Sequence, residues 1–164
     1  MELAEVGMFT LARLCGTNAL PRRLCMELCA GGKKVGNNLP IVLIVEDDFA
    51  IQIVVEEALS DAGFETAVAP SAEEAVTLLK SKVMDYRALV TDINLKGHMT
   101  GWEVAKQARE INPTFPIVYI TGAAANDWAS RGVPNSVLLE KPFAPAQLVT
   151  AVSQLLNTGM PEQS

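Results

Sequence analysis

Four short apolar runs each end in residues able to act on a charged oxygen ligand. Glu46, Asp47 and Asp48 follow IVLIV (41–45), Asp92 follows YRALVT (86–91), Thr121 follows FPIVYI (115–120) and Lys141 follows SVLLE (136–140). Singly each is commonplace, because an acid after a strand is most often a helix cap or turn residue and a lone lysine is most often solvated. Together they form a set. Ionised Glu46, Asp47 and Asp92 place three negative charges against the one positive charge of Lys141. Carboxylates crowded in this way repel and take up protons unless a cation neutralises them. The ligands are all oxygen, with no histidine or cysteine near in sequence, which selects Mg²⁺ or Mn²⁺ over zinc. With such an ion bound, one carboxylate can attack phosphorus and form an acyl phosphate, while Lys141 contacts a phosphoryl oxygen and Thr121 donates a hydrogen bond.

The surrounding pattern says how these groups can meet. From Pro40 onward, apolar runs alternate with helical periodicity. IVLIV reads as a strand buried on both faces. Residues 49–62 carry Ile51, Val54, Val55, Ala58, Leu59 and Ala62 at helical spacing and close on Gly63. FETAVA (64–69) is a more polar strand, as suits a sheet edge, and Ser71 with Glu74 forms a capping signature for a helix through about Lys82. YRALVT (86–91) is the third strand, 101–111 the third helix, FPIVYI (115–120) the fourth strand, and about 124–131 a short helix. SVLLE (136–140) is the fifth strand, and Pro145 opens a last helix with Leu148, Val152, Leu155 and Leu156 inward. Five repeats of strand and helix in about 120 residues imply an α/β fold, a doubly wound five-stranded parallel sheet with helices on both faces. Ligands of such sheets bind beyond the carboxyl ends of the strands, which is where the acids, the threonine and the lysine stand.

Composition narrows the function classes. Apolar residues are 49% and charged residues 20% of the 164, as in an ordinary globular protein. Aromatics are 5% and the formal charge is −6, which argues against nucleic-acid binding. No run is long enough for a transmembrane helix. The charge is split. Residues 1–38 carry five basic and three acidic residues, and residues 39–164 carry eight and sixteen. All three cysteines (Cys15, Cys25, Cys29) lie in the first part, so no disulfide staples the second, as suits a reducing, cytoplasmic compartment. Residues 1–38 read as an N-terminal extension, partly helical (about 2–14 and 21–29) or disordered, leading into a linker at KKVGNNLP (33–40). The Cys25/Cys29 pair falls short of the four ligands a zinc site wants.

The set VEDD, LVTDIN, YITG and EKPF, in this order and at these separations, resembles the receiver domain of two-component response regulators over about residues 40–157. The resemblance implies the strand order 2-1-3-4-5, a domain at 39–157 and a short tail at 158–164. It implies that Asp92 accepts a phosphoryl group from a histidine kinase or histidine phosphotransfer protein. It further implies that Asp47 and Asp92 ligate Mg²⁺ (Mn²⁺ possible) beside Glu46 and the backbone carbonyl of Asn94, that Thr121 and Lys141 serve the phosphoryl switch, and that Lys141-Pro142 is cis. No output domain is expected after the tail, so the chain reads as a stand-alone regulator signalling by protein contact or phosphorelay, with a downstream partner the sequence does not name. It acts on its own aspartate and is not otherwise an enzyme.

Three departures stand out. Leu138 occupies the place of the family's switch aromatic. The loop INLKGHMTGW lacks the usual proline, with Lys96 near its place. The segment TGAAANDWASRGVPNS (121–136) is short, so its helix should be brief or irregular. His98 reads as a solvated loop residue, Trp102 as packing at the start of the third helix, and Trp128 as an exposed candidate for function. Three other readings remain. An aspartyl-nucleophile phosphatase would need an acid where Asn94 stands. A flavin-binding domain would need a phosphate loop where EDDFA stands. A receiver-like interaction module that is never phosphorylated draws weight from Leu138.

Overall fold

The computed structural model describes residues 39–82 and 85–158. The two leader helices expected at about 2–14 and 21–29, and the three cysteines, lie outside these residues. The elements are β1 (Ile41–Val45), α1 (Phe49–Asp61), β2 (Glu65–Ala69), α2 (Ala72–Lys82), β3 (Tyr86–Asp92), α3 (Gly101–Ile111), β4 (Ile117–Thr121), a 3₁₀ turn (Ala125–Asp127), α4 (Trp128–Arg131), β5 (Val137–Glu140) and α5 (Pro145–Thr158). The five strands are parallel in the order β2-β1-β3-β4-β5. FETAVA is an edge strand, as its polarity predicts.

Strand alternation sends successive side chains to two cores. Leu43, Val45, Leu89, Ile117 and Tyr119 pack with Leu79, Trp102, Val104 and Ala108 on the α2–α3 side. Val42, Ile44, Val90, Val118 and Ile120 pack with Val55, Leu59, Leu148 and Val152 on the α1–α5 side. The middle strands are apolar at nearly every position because they are covered on both faces.

Local capping fixes where the helices start. The Asp48 carboxylate accepts the amide N–H groups of Ala50 (2.9 Å) and Ile51 (3.4 Å), so it caps α1. Ser71 Oγ accepts the Glu74 amide at 3.2 Å. The Glu103 carboxylate of α3 accepts the Thr100 amide at 2.7 Å. The α1 helix ends before Gly63, whose φ of 88° is favourable only for a residue without Cβ.

Two boundaries differ from the expected ones by a residue or two. Phe115 is buried but precedes β4, because Pro116 contributes only its carbonyl, which accepts from Leu89. Ser136 precedes β5 and spends its hydroxyl on the Val133 carbonyl at 2.6 Å. The segment between β4 and β5 is one 3₁₀ turn followed by one α turn, brief as expected.

Arg109 fastens this segment. Its guanidinium donates to the carbonyls of Phe115 (2.7 Å), Pro113 (2.8 Å) and Pro134 (2.8 Å), joining the end of α3 to the residues before β4 and β5. Burial lowers its pKa from the ordinary arginine value. Replacing Arg109 by methionine keeps the stem and removes all three bonds. Urea denaturation should show a loss of about 2 kcal/mol, the scale of charged hydrogen bonds that water only partly replaces.

Candidate functional site

Strand register assembles the rim. Val45 pairs with Thr91, so Glu46 emerges beside Asp92. Asp92 pairs with Ile120, and Thr121 with Glu140, which places Lys141 next along the edge. The Lys141 amide donates to the Thr121 carbonyl at 2.7 Å, and the Ile93 amide to the Ile120 carbonyl at 3.0 Å. Carboxylate oxygens of Glu46, Asp47 and Asp92 lie within 4.8 Å of one another. The structure thus brings together the acids and the lysine that are far apart in sequence.

The Lys141 ammonium is the hub. It donates to Glu46 Oε2 at 2.9 Å and to Asp92 Oδ2 at 2.7 Å. The other Asp92 oxygen, Oδ1, accepts the Asn94 amide at 3.0 Å. Burial alone would lower the Lys141 pKa, but the hydrogen bonds it donates to Asp92 and Glu46, and their charges, outweigh it and raise the net value. Burial raises the pKa of Glu46, partly offset by hydrogen bonds from Lys141 and the Asp48 amide, while the charge of Asp92 raises it further. Lys141 therefore leaves part of the site's negative charge unanswered. An oxygen-only, converging, net-negative group fits a hard divalent ion.

Each predicted residue has a definite place. Thr121 is fully buried at the end of β4, where its Oγ accepts the amides of Ala123 (3.2 Å) and Ala124 (2.8 Å). Lys141-Pro142 is cis. His98 is exposed, and Trp102 is buried against Tyr119 with ring centroids 4.7 Å apart. Trp128 corrects the expectation of exposure. It is half-buried against the α2–α3 core, its indole N–H donates to Ser136 Oγ at 3.1 Å, and Gly132 lies close enough that an added Cβ would fall 2.5 Å from the indole. A short helix has one turn with which to cover the sheet, so its one large side chain is drawn inward.

Two residues were not assigned roles from sequence. Lys96 donates to Asp47 Oδ2 at 2.9 Å, an ion pair that raises the lysine pKa. Its signal was the missing loop proline. Tyr119 is fully buried two residues before Thr121, pairs in register with Leu138, and its hydroxyl accepts the Val133 amide at 3.3 Å. The apolar composition of FPIVYI masked it.

The profile of the response regulator receiver domain matches residues 42–153. The chain belongs to this family. Receiver domains are the regulated modules of two-component response regulators, and several relatives make the match concrete. A response regulator receiver protein of Sinorhizobium medicae is 48% identical, covers 73% of this chain and 95% of its own, and superposes with a TM-score of 0.70. A putative response regulator of Chloroflexus aurantiacus is 30% identical, covers 73% and 98%, and has a TM-score of 0.66. The DNA-binding transcriptional regulator NtrC of Salmonella typhimurium is 30% identical over 119 residues, covering 71% of this chain and 25% of that regulator. The chain therefore spans about a quarter of the length of that regulator. No helix among the described residues is long and apolar enough to cross a membrane.

Proposed function

We propose that this receiver domain takes a phosphoryl group onto Asp92 from a phosphohistidine of a histidine kinase or histidine phosphotransfer protein, with Mg²⁺ held by Asp47, Asp92, the Asn94 carbonyl and the adjacent Glu46. The observation that carries the reading is the convergence of Glu46, Asp47, Asp92 and Lys141 from three strand ends. When bound, the metal neutralises charge on the transferring group. An Asp92 carboxylate oxygen forms the new P–O bond as the P–N bond to the donor imidazole breaks, and the histidine leaves neutral after taking up a proton. Lys141 exchanges its bond to Asp92 Oδ2 for one to a phosphoryl oxygen. Loss of phosphate is attack of water on phosphorus with return of the carboxylate. Phe49 is 72% exposed at the start of α1, beside the rim, and offers an apolar anchor to a protein that covers Asp92.

Phosphorylation adds roughly −2 charges at the rim. In this reading Thr121 answers them. Turning its hydroxyl toward the phosphoryl group gives up the Ala123 and Ala124 amides and frees the start of the 3₁₀ turn. Output is then a rearranged 122–136 surface read by another protein in the cytoplasm, or passage of the phosphoryl group along a relay. Leu138 favours a second reading, an interaction module that phosphorylation does not control, because no aromatic ring stands at that position to swing inward.

Acetyl phosphate with Mg²⁺ separates the two. Intact-mass spectrometry should show the gain of one phosphoryl group, lost on adding EDTA beforehand, with a shift of the Trp128 indole resonance. No mass gain overturns the phosphoacceptor reading, and a mass gain without any shift in the 122–136 segment overturns the proposed output.

A further inference from the structure

We infer that Lys96 is a tethered cation that competes with the divalent ion for Asp47 and so raises the Mg²⁺ concentration needed to fill the site. This rests on the metal site proposed above. Every carboxylate of the cluster has an ammonium partner. Lys141 serves Glu46 and Asp92, and Lys96 serves Asp47 at 2.9 Å. The two lysines are held very differently. Lys141 has a side chain 19% exposed and a backbone amide tied to Thr121. Lys96 has a side chain 85% exposed on the loop between β3 and α3.

Charge calls for one lysine to yield, and exposure selects Lys96. Three carboxylates against two ammonium groups leave −1 at the rim. A divalent ion added with Lys96 in place brings the sum to +1, and with Lys96 displaced to zero. Displacement breaks only an exposed pair, whose contribution corresponds to about a two- to five-fold change in an equilibrium. The displaced ammonium has somewhere to go. Glu73, in the first turn of α2, brings its carboxylate to 3.4 Å from where a Cβ on the neighbouring Gly97 would stand. Gly97 itself has a φ of 131°, a conformation that lets the loop turn directly after the lysine.

Calorimetric titration of the full chain with MgCl₂ tests this. Lys96→Ala should bind Mg²⁺ about two- to five-fold more tightly than the wild type at low salt. Lys96→Arg, which keeps the charge, should match the wild type. Lys80→Ala, at the far end of α2, should also match it. The gap should close at about 1 M salt, where screening acts over about 3 Å. Equal or weaker binding by Lys96→Ala overturns the inference and leaves the metal site standing, as does equal tightening by Lys80→Ala, which would mark a diffuse charge effect. No binding by any variant overturns both the inference and the metal site.

Discussion

Asp92→Asn protein should take up no phosphoryl group from acetyl phosphate, yet melt close to the wild type. The amide has the shape of the carboxylate but no anionic oxygen, so it is not a nucleophile toward phosphorus. Its carbonyl oxygen can still accept the Asn94 amide that Oδ1 accepts now. Lys141 loses one partner at 2.7 Å and keeps Glu46 at 2.9 Å. Removing one of three crowded carboxylates also relieves repulsion on Glu46, whose pKa the charge of Asp92 helps to raise. The stability change should therefore stay within about 1 kcal/mol of the wild type, by chemical denaturation. The loss of phosphorylation, by intact mass, should be complete. Uptake persisting in this variant would place the acceptor elsewhere. Collapse of the fold would mean that Asp92 is needed mainly for structure.

Gly101→Ala should damage the domain more than a single methyl group suggests. Gly101 opens α3, and its amide donates to the Ile93 carbonyl at 3.0 Å. A Cβ there would lie 2.0 Å from the Asp92 carbonyl oxygen and 2.9 Å from Thr91 Oγ. The obstacle is backbone, so no rotamer change relieves it, and α3 must move away from β3. Trp102, the next residue, is buried against Tyr119, so the movement opens the core as well. Overpacking costs typically 1–3 kcal/mol and occasionally more, and here about 3 kcal/mol or more is expected. That is a large part of the roughly 5–15 kcal/mol that holds a domain together. The melting temperature should fall by about 10 °C. Gly122→Ala is the control, since an added Cβ there meets nothing within 4 Å, and it should melt with the wild type. An unchanged melt for Gly101→Ala would show that α3 seats less closely on β3 than its geometry implies.

The elements that could be read from the chain were those whose local pattern and tertiary setting agree. IVLIV and YRALVT are strands because runs of β-branched and apolar residues suit a sheet covered on both faces. The α3 helix matches the expected 101–111 because Val104, Ala105 and Ala108 recur at helical spacing and are buried on one face. The rim residues were legible because parallel strands put their carboxyl ends on one side, so residues at strand ends must meet. Trp128 was misjudged for the opposite reason. Its neighbours are polar, and only the gap left by a one-turn helix draws it inward.

The sequence alone determined the alternation of strands and helices, the family, and the membership of the acidic rim, since these depend on residue type and short-range spacing. Only the tertiary structure decided how the rim's charges pair. Lys141 lies 95 residues from Glu46 and 49 from Asp92, and it bridges both because β1, β3 and β5 end at one edge. Lys96 reaches Asp47 only because the loop after β3 returns over the end of β1. Ion pairs act over a few ångströms between residues far apart in the chain, so their partners are fixed by strand register and loop path, which no local pattern of residues encodes.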